Sequence, residues 1–334
     1  MKTVCKELLV SKKNKEKVDL EINLHERLSI DGHKNIIKFI RSFEIPNFVL
    51  MVLELAELKT LKEVSIRRVT ITEAEARYYF TQIAAGLKFL SDNRILHRDI
   101  KLGNLFLSSE MTVKIGDFGL AIPFSDQRRL SRCGTPNYIS PEVLEGRGHS
   151  LQSDLWSVGC VLYALLCGKP PFDSRSRDTT YMLIRNHLYT IPPELSFQAA
   201  QFLRQLLDVE PLDRGNLNPP GSPQSLLSHP FLCVGLTPAR LPPSAVFKEP
   251  DWDWVMRESS LGPVIPQTQH LDTFLEGVDQ QLQLFLNRKV GEGEDLVDKR
   301  KVPVFVSRWV DYSDRFGFVF QLSDGGLGVL YSLS

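Results

Sequence analysis

The period of apolar positions changes along the chain. Between Lys15 and Leu28, Val18, Ile22, Leu24 and Leu28 recur among charged residues at helical spacing, which predicts an amphipathic helix. Phe48-Val49-Leu50-Met51-Val52-Leu53 is a continuous apolar run and predicts a buried strand. Residues 1–57 therefore read as short strands around a helix. Thr72-x-x-Glu75 has the form of a capping box, and helix-forming residues follow from Ala76 to Phe89. Asp154 to Leu166 is apolar nearly all round, as a core helix is. Short helices are predicted from there to Cys233, broken at Pro170-Pro171, Pro192-Pro193 and Pro219-Pro220.

After residue 233 the pattern weakens. Pro238, Pro242, Pro243, Pro250 and Pro263 punctuate a stretch read as a linker over 234–300. Within it Leu271, Phe274, Leu275, Val278, Leu282 and Phe285 return to helical spacing and predict one amphipathic helix near 270–288. Over 301–334 the signal is strand-like: Val304-Phe305-Val306, Phe316 to Leu322, and Leu327 to Tyr331. Gly325-Gly326 reads as a hairpin turn between the last two.

Bulk properties narrow the class. A chain of 334 residues fits about two domains. Its 43% hydrophobic and 24% charged content is ordinary for a globular protein. Lys+Arg and Asp+Glu are equal at 40 each, so global charge makes no case for nucleic acid or membrane partners. Five cysteines, odd in number and without metal-ligand spacing, read as reduced thiols in an intracellular protein. No apolar run reaches membrane-spanning length, and no signal-peptide core opens the chain.

Three blocks carry chemistry. His97-Arg98-Asp99-Ile100-Lys101-Leu102-Gly103-Asn104 comes first, Asp117-Phe118-Gly119 follows, and Ser140-Pro141-Glu142 comes last. In this order and spacing they resemble the catalytic loop, metal-binding loop and activation-segment end of protein kinases. That resemblance implies a bilobal α+β fold and the transfer of a phosphoryl group. Phosphoryl transfer needs charge neutralisation and in-line positioning more than covalent help. Asp99 is then the residue that orients or accepts the proton of the substrate hydroxyl, and Lys101 sits beside the γ-phosphate. Asn104 and Asp117 hold Mg²⁺, a cation that wants oxygen ligands. The Asp-x-Lys form points to the serine/threonine class.

Two further stretches sharpen the resemblance. Asn104-Leu105-Phe106-Leu107 and Cys133-Gly134-Thr135-Pro136-Asn137-Tyr138-Ile139 look like the polo-like kinases, and Val306-Ser307-Arg308-Trp309-Val310-Asp311-Tyr312-Ser313 resembles the opening strand of the first polo box. The drifted residues and short connector look most like the divergent fifth paralogue. The implied organisation is a kinase domain over 1–233, the linker, and an incomplete first polo box over 301–334. Aligned with the family, Lys2 falls on strand three and Glu21, nineteen residues later, on its helix partner. A solvated chain-start lysine is the competing reading for Lys2. Leu53 falls at the gatekeeper position, Glu54 and Ala56 on the hinge that meets adenine, and Phe106 on the apolar floor beneath it. Core packing explains Leu53 and Phe106 equally well.

The same alignment puts Ser131 at the activation-loop phosphosite, with Thr135 close by in that segment. Arg98 is its expected partner, and Arg128, Arg129 and Arg132 surround it. Glu142 with Arg214, and Asp154 alone, take structural positions. The family pattern also has features absent here. No Gly-rich loop precedes Lys2, so two strands of the small sheet are expected to be missing and an edge exposed. Trp309 matches the polo-box tryptophan that contacts a peptide, but the phosphate-gripping residues of a second box have no counterpart; exposed apolar surface is the alternative role for Trp309. The expected function is an ATP- and Mg²⁺-dependent protein serine/threonine kinase in cell-cycle or stress signalling, at nucleus, cytoplasm or centrosome. Protein substrates, and phosphopeptides through the polo box, are the expected partners. The alternatives are a catalytically impaired adaptor acting through protein–protein binding, and a truncated product of a longer gene.

Overall fold

The computed structural model describes residues 2–9, 11–260, 306–312, 317–322 and 327–330. The chain divides into two compact units, Met1–Ser259 and Ser260–Ser334.

The first unit begins with a small lobe. Strand β1 (Lys2–Cys5) is followed by helix α1 (Lys12–Asp31) and by strands β2 (Phe39–Ile45) and β3 (Phe48–Leu53). The sheet is antiparallel in the order β1-β3-β2, with Met51 opposite Lys2. The run Phe48–Leu53 is thus the central strand, and Val49, Leu50 and Met51 are buried. Ser11 starts α1 by accepting a hydrogen bond from Asn14 N–H at 3.2 Å. The helix buries Glu21, Leu24, His25 and Leu28, one face at i, i+3, i+4 and i+7. Val18 and Ile22, which the apolar pattern placed on that face, are only half-buried; the polar Glu21 and His25 share the face with Leu24 and Leu28 instead.

The large lobe is built on helices. In chain order it contains α2 (Leu61–Arg68), α3 (Glu73–Asp92), β4 (Ile95–Leu96), β5 (Leu105–Leu107), β6 (Val113–Ile115), β7 (Ile122–Pro123), α4 (Pro141–Leu144), α5 (Leu151–Cys167), α6 (Arg177–Arg185), α7 (Phe197–Leu206) and α8 (Pro230–Cys233). The capping box is formed: Thr72 Oγ1 accepts from Glu75 N–H at 3.3 Å while the Glu75 carboxylate accepts from Thr72 N–H at 2.9 Å. Helix α5 runs through the core and ends at Gly168, whose φ of 77° favours glycine and where a Cβ would meet Val69 at 2.9 Å. Two short antiparallel ribbons, β4-β7 and β5-β6, frame the loop between them.

The linker expected from residue 234 does not start there. Leu241, Ala245, Val246 and Val255 are buried in the first unit, and helix α9 (Trp252–Ser260) follows. Arg68 donates to Ala245 O at 2.9 Å, Arg77 to Leu236 O at 3.0 Å, and Arg67 lies 4.5 Å from the Phe247 ring centroid. These anchors are spaced irregularly between prolines, so they left no periodic signal. The helix expected near 270–288 and the Gly325-Gly326 turn lie outside the described residues. In the second unit, β8 (Val306–Tyr312), β9 (Gly317–Leu322) and β10 (Leu327–Leu330) form an antiparallel sheet in the order β10-β9-β8, with Trp309 opposite Phe320. Among the described residues no helix is long and apolar enough to cross a membrane, and the five cysteines are free.

Candidate active site

The site is assembled from a loop anchored in the large lobe and a side chain reaching from the small one. Asp154, in the first turn of α5 and fully buried, accepts hydrogen bonds from His97 N–H at 3.0 Å and Arg98 N–H at 2.9 Å. Those bonds hold Arg98 at φ 65°, a left-handed region that non-glycine residues seldom enter. Arg98 Nε donates to Leu120 O at 2.7 Å and fixes the other side of the bend. His97 is held at both ring nitrogens. Its Nε2 faces the Gly116 carbonyl at 3.1 Å, so that nitrogen carries the hydrogen, and Nδ1 accepts from Asp99 N–H at 3.3 Å.

Asp99 lies at the centre of the loop. One carboxylate oxygen accepts from Lys101 Nζ at 2.6 Å and Asn104 Nδ2 at 3.1 Å. The other accepts from Thr135 Oγ1 at 2.8 Å and Thr135 N–H at 3.1 Å. Lys101 Nζ also donates to Thr135 Oγ1 at 3.1 Å. Thr135, placed by sequence only in the activation segment, therefore closes the hydrogen-bond ring around Asp99.

From the small lobe, Lys2 Nζ lies 2.6 Å from Glu21 Oε1 and 2.7 Å from Asp117 Oδ1. Two of the expected residues on separate elements thus meet a third. Burial alone would lower the Lys2 pKa; the Glu21 charge and bonds to both carboxylates raise it overall, so the ammonium is retained. Asp117 shows the mirror effect: burial raises it, but the bond and charge of Lys2 bring it below its ordinary value. Asp117 also has positive φ, 63°.

Beneath these charges runs a stack of rings. Phe39 and His25 centroids are 5.5 Å apart, His25 and Phe118 4.6 Å, and Phe118 and His97 5.4 Å. All four are buried. The stack joins β2 and α1 to the catalytic loop, and it fixes the turn that presents Asp117.

A family model described as Protein kinase domain matches residues 1–232. Serine/threonine-protein kinase PLK1 of Xenopus laevis is 36% identical over 368 residues, covering 99% of this chain and 60% of that protein. Serine/threonine-protein kinase polo of Drosophila melanogaster is 37% identical over 374 residues, 99% of this chain and 63% of that protein. The chain belongs to the protein kinase family, in its polo-like branch. It spans about 60% of the length of these relatives.

The segment that follows Asp117 returns to the same loop. Arg98 Nη1 donates to Ser131 Oγ at 3.1 Å, so the expected pair meets without modification. His149 Nε2 lies 3.2 Å from Ser131 O and 3.6 Å from Cys133 Sγ. Arg129 and Arg132 are exposed; the side chain of Arg128 lies outside the described residues. Further on, Arg214 grips Glu142 with two bonds of 2.7 and 2.9 Å, both side chains buried.

Of the residues expected around adenine, Leu53 ends β3 and is half-buried. Glu54 N–H donates to Lys38 O at 2.8 Å, and its carboxylate pairs with Lys114 Nζ at 2.8 Å. Ala56 O accepts from Lys59 N–H in the turn that leads to α2. Phe106 packs so closely on Gly116 that a Cβ there would lie 2.9 Å from its ring. Trp309 lies in the second unit, on β8. His25 and Phe39 were missed by sequence reasoning. The available signal for His25 was its position four residues after Glu21, on the same helical face.

Proposed function

We propose that this chain transfers the γ-phosphoryl group of ATP to serine or threonine hydroxyls of protein substrates. The observation that carries the reading is that both charge clusters phosphoryl transfer needs are formed, Lys2 with Glu21 and Asp117, and Asp99 with Lys101 and Asn104. An ammonium held charged beside Asp117 suits the α- and β-phosphates, and Asp99 is positioned to orient a hydroxyl and take its proton as the bond to phosphorus forms. Lys101 offers a positive charge within reach of the oxygens on the moving phosphoryl.

The donor set fits Mg²⁺. Asn104 Nδ2 is spent on Asp99 O and Oδ2, which leaves Oδ1 for a cation, and Asp117 retains a second carboxylate oxygen beyond its bond to Lys2. When bound, the metal neutralises charge on the phosphates. We read residues 301–334 as the opening of a polo box, supported by the antiparallel order of β8, β9 and β10. A phosphopeptide partner is what that reading implies for Trp309.

The test is the melting midpoint of the chain with Mg²⁺-ATP, measured alongside Asp117→Ala. Ligand at a hundredfold over its dissociation constant stabilises the folded state by about 2.7 kcal/mol. A shift in the parent that disappears in the variant, with phosphate incorporated into protein substrate and reduced about 10²- to 10⁴-fold by Asp99→Asn, supports the kinase reading. A folded chain with no nucleotide shift overturns it and leaves an adaptor.

A further inference from the structure

A cavity of about 520 Å³ lies apart from the catalytic cluster, lined by Arg27, Asn93, Arg94, Pro123, Phe124 and Ser125. Arg27 comes from α1 in the small lobe. The other residues flank the β4-β7 ribbon of the large lobe. Backbone pairing fixes their proximity: Ile95 is opposite Pro123, and Phe124 N–H donates to Arg94 O at 2.9 Å. Ser125 is the next residue. Arg27 Nη2 donates to Asn93 O at 2.9 Å, so a small-lobe guanidinium already reaches the large lobe at this point.

The charges at the cavity are unbalanced. Among the described residues neither Arg27 nor Arg94 forms an ion pair, and the nearby Asp92 is engaged by Lys88. Arg27, Arg94 and Ser125 are all exposed. Two guanidiniums around one concave surface suit the oxygens of a phosphate monoester, which accept bidentate, charge-assisted bonds. A hydroxyl belonging to the same lining needs no encounter to deliver that phosphate.

We propose that Ser125 is a phosphorylation site whose phosphate bridges Arg27 and Arg94 and pins α1 to the large lobe. In the modifying step, carried out by a protein kinase with ATP, Ser125 Oγ forms a bond to the γ-phosphorus. The bond from that phosphorus to the β,γ-bridging oxygen breaks, ADP leaves, and the hydroxyl proton passes to the modifying enzyme's base. The product carries close to two negative charges and three acceptor oxygens. Because α1 also carries Glu21, the bridge favours the position in which Glu21 meets Lys2. The site is distinct from Ser131, whose hydroxyl is held by Arg98.

The experiment uses the full chain with phosphoserine incorporated at 125, compared with the unmodified chain. Its readouts require no phosphoryl transfer by this chain, so they test the site separately from the function proposed above. The expected result is a melting midpoint higher by about 2–4 °C, a gain that shrinks in high salt. The phosphoserine ³¹P resonance should titrate below the usual second pKa of about 6. Arg27→Ala and Arg94→Ala should each remove the gain, measured against the same variant left unmodified. Equal midpoints, a ³¹P titration like that of a free peptide, or a gain that persists in both arginine variants would overturn the proposal. So would inorganic phosphate or a separate phosphoserine peptide giving the unmodified chain the same arginine-dependent shift, since the site would then be one filled in trans.

Discussion

The small and large lobes both pack helix against strand, but what encloses them differs. In the large lobe Leu155, Trp156, Val158, Cys160, Val161, Leu162 and Leu165 of α5 are each no more than 2% exposed. In the small lobe β2 buries only Phe39, while Ile40, Phe43 and Ile45 are exposed. Half of the buried face of α1 is polar, Glu21 and His25 sharing it with Leu24 and Leu28. Apolar area therefore holds the platform under Asp99, whereas charge pairs and ring contacts hold the side that carries Lys2. Few buried apolar contacts mean a lower free energy of local opening. The small lobe is expected to open first, which would draw Lys2 away from Asp117.

The sharpest way to break the comparison is to remove one buried charge from each lobe. Arg214→Met strands Glu142, fully enclosed, and also abandons the carbonyls of Asp208 and Gln152. Loss of one member of a buried pair costs about 3–5 kcal/mol, so denaturant unfolding should report a loss of that size for the whole unit. Glu21→Gln leaves Lys2 with Asp117 and removes a contact to a side chain that is one-third exposed. Its equilibrium cost should be no more than about 1 kcal/mol. The nucleotide-dependent shift should nonetheless fall, because α1 no longer orients Lys2. Equal costs for the two variants would refute the division between lobes.

Acid should affect both lobes through one histidine in each. Burial, the largest cause, lowers His25 to about 4, with the charge of Lys2 adding to it. Burial lowers His149 to about 4 as well, with Arg98 adding to it. Both pKa values lie below the ordinary histidine value of about 6.5. Between pH 6.5 and 4 the unfolded chain binds protons that the folded chain refuses, so stability is full above 6.5 and falls as pH drops. Each site contributes at most about 1.4 kcal/mol per pH unit in that window. His25→Asn should flatten part of the slope. Hydrogen exchange in α1 should then show less acid sensitivity than in the parent, with α5 unaffected.

What the sequence disclosed follows the range of the interactions. The Thr72 cap lies within four residues and was readable, as was α5 from its unbroken apolar run. Asp99, Asn104 and Asp117 were readable because one loop chemistry fixes their spacing. The Phe39–His25–Phe118–His97 stack was not, since it joins residues far apart in sequence and two of its members are polar. The position of Thr135 on Asp99 escaped for the same reason, 36 residues separating them. The packing of residues 234–259 was hidden because prolines erased its period. Thr72→Ala makes a measure of the readable kind: it removes the bond to Glu75 N–H and should cost about 1 kcal/mol in denaturant unfolding.

The smallest effect is expected on the outer face of the small sheet. Phe43 is 41% exposed and pairs across the ladder with Leu50, whose side chain is buried. Arg41 lies 5.7 Å from its ring centroid, a contact worth little in solvent. Threonine, being β-branched, keeps the strand preference and the backbone bonds of the ladder. Phe43→Thr should therefore move stability by no more than about 0.5 kcal/mol. A loss of 2 kcal/mol or more would mean that this face is packed in solution, and that the small lobe is held by apolar area after all.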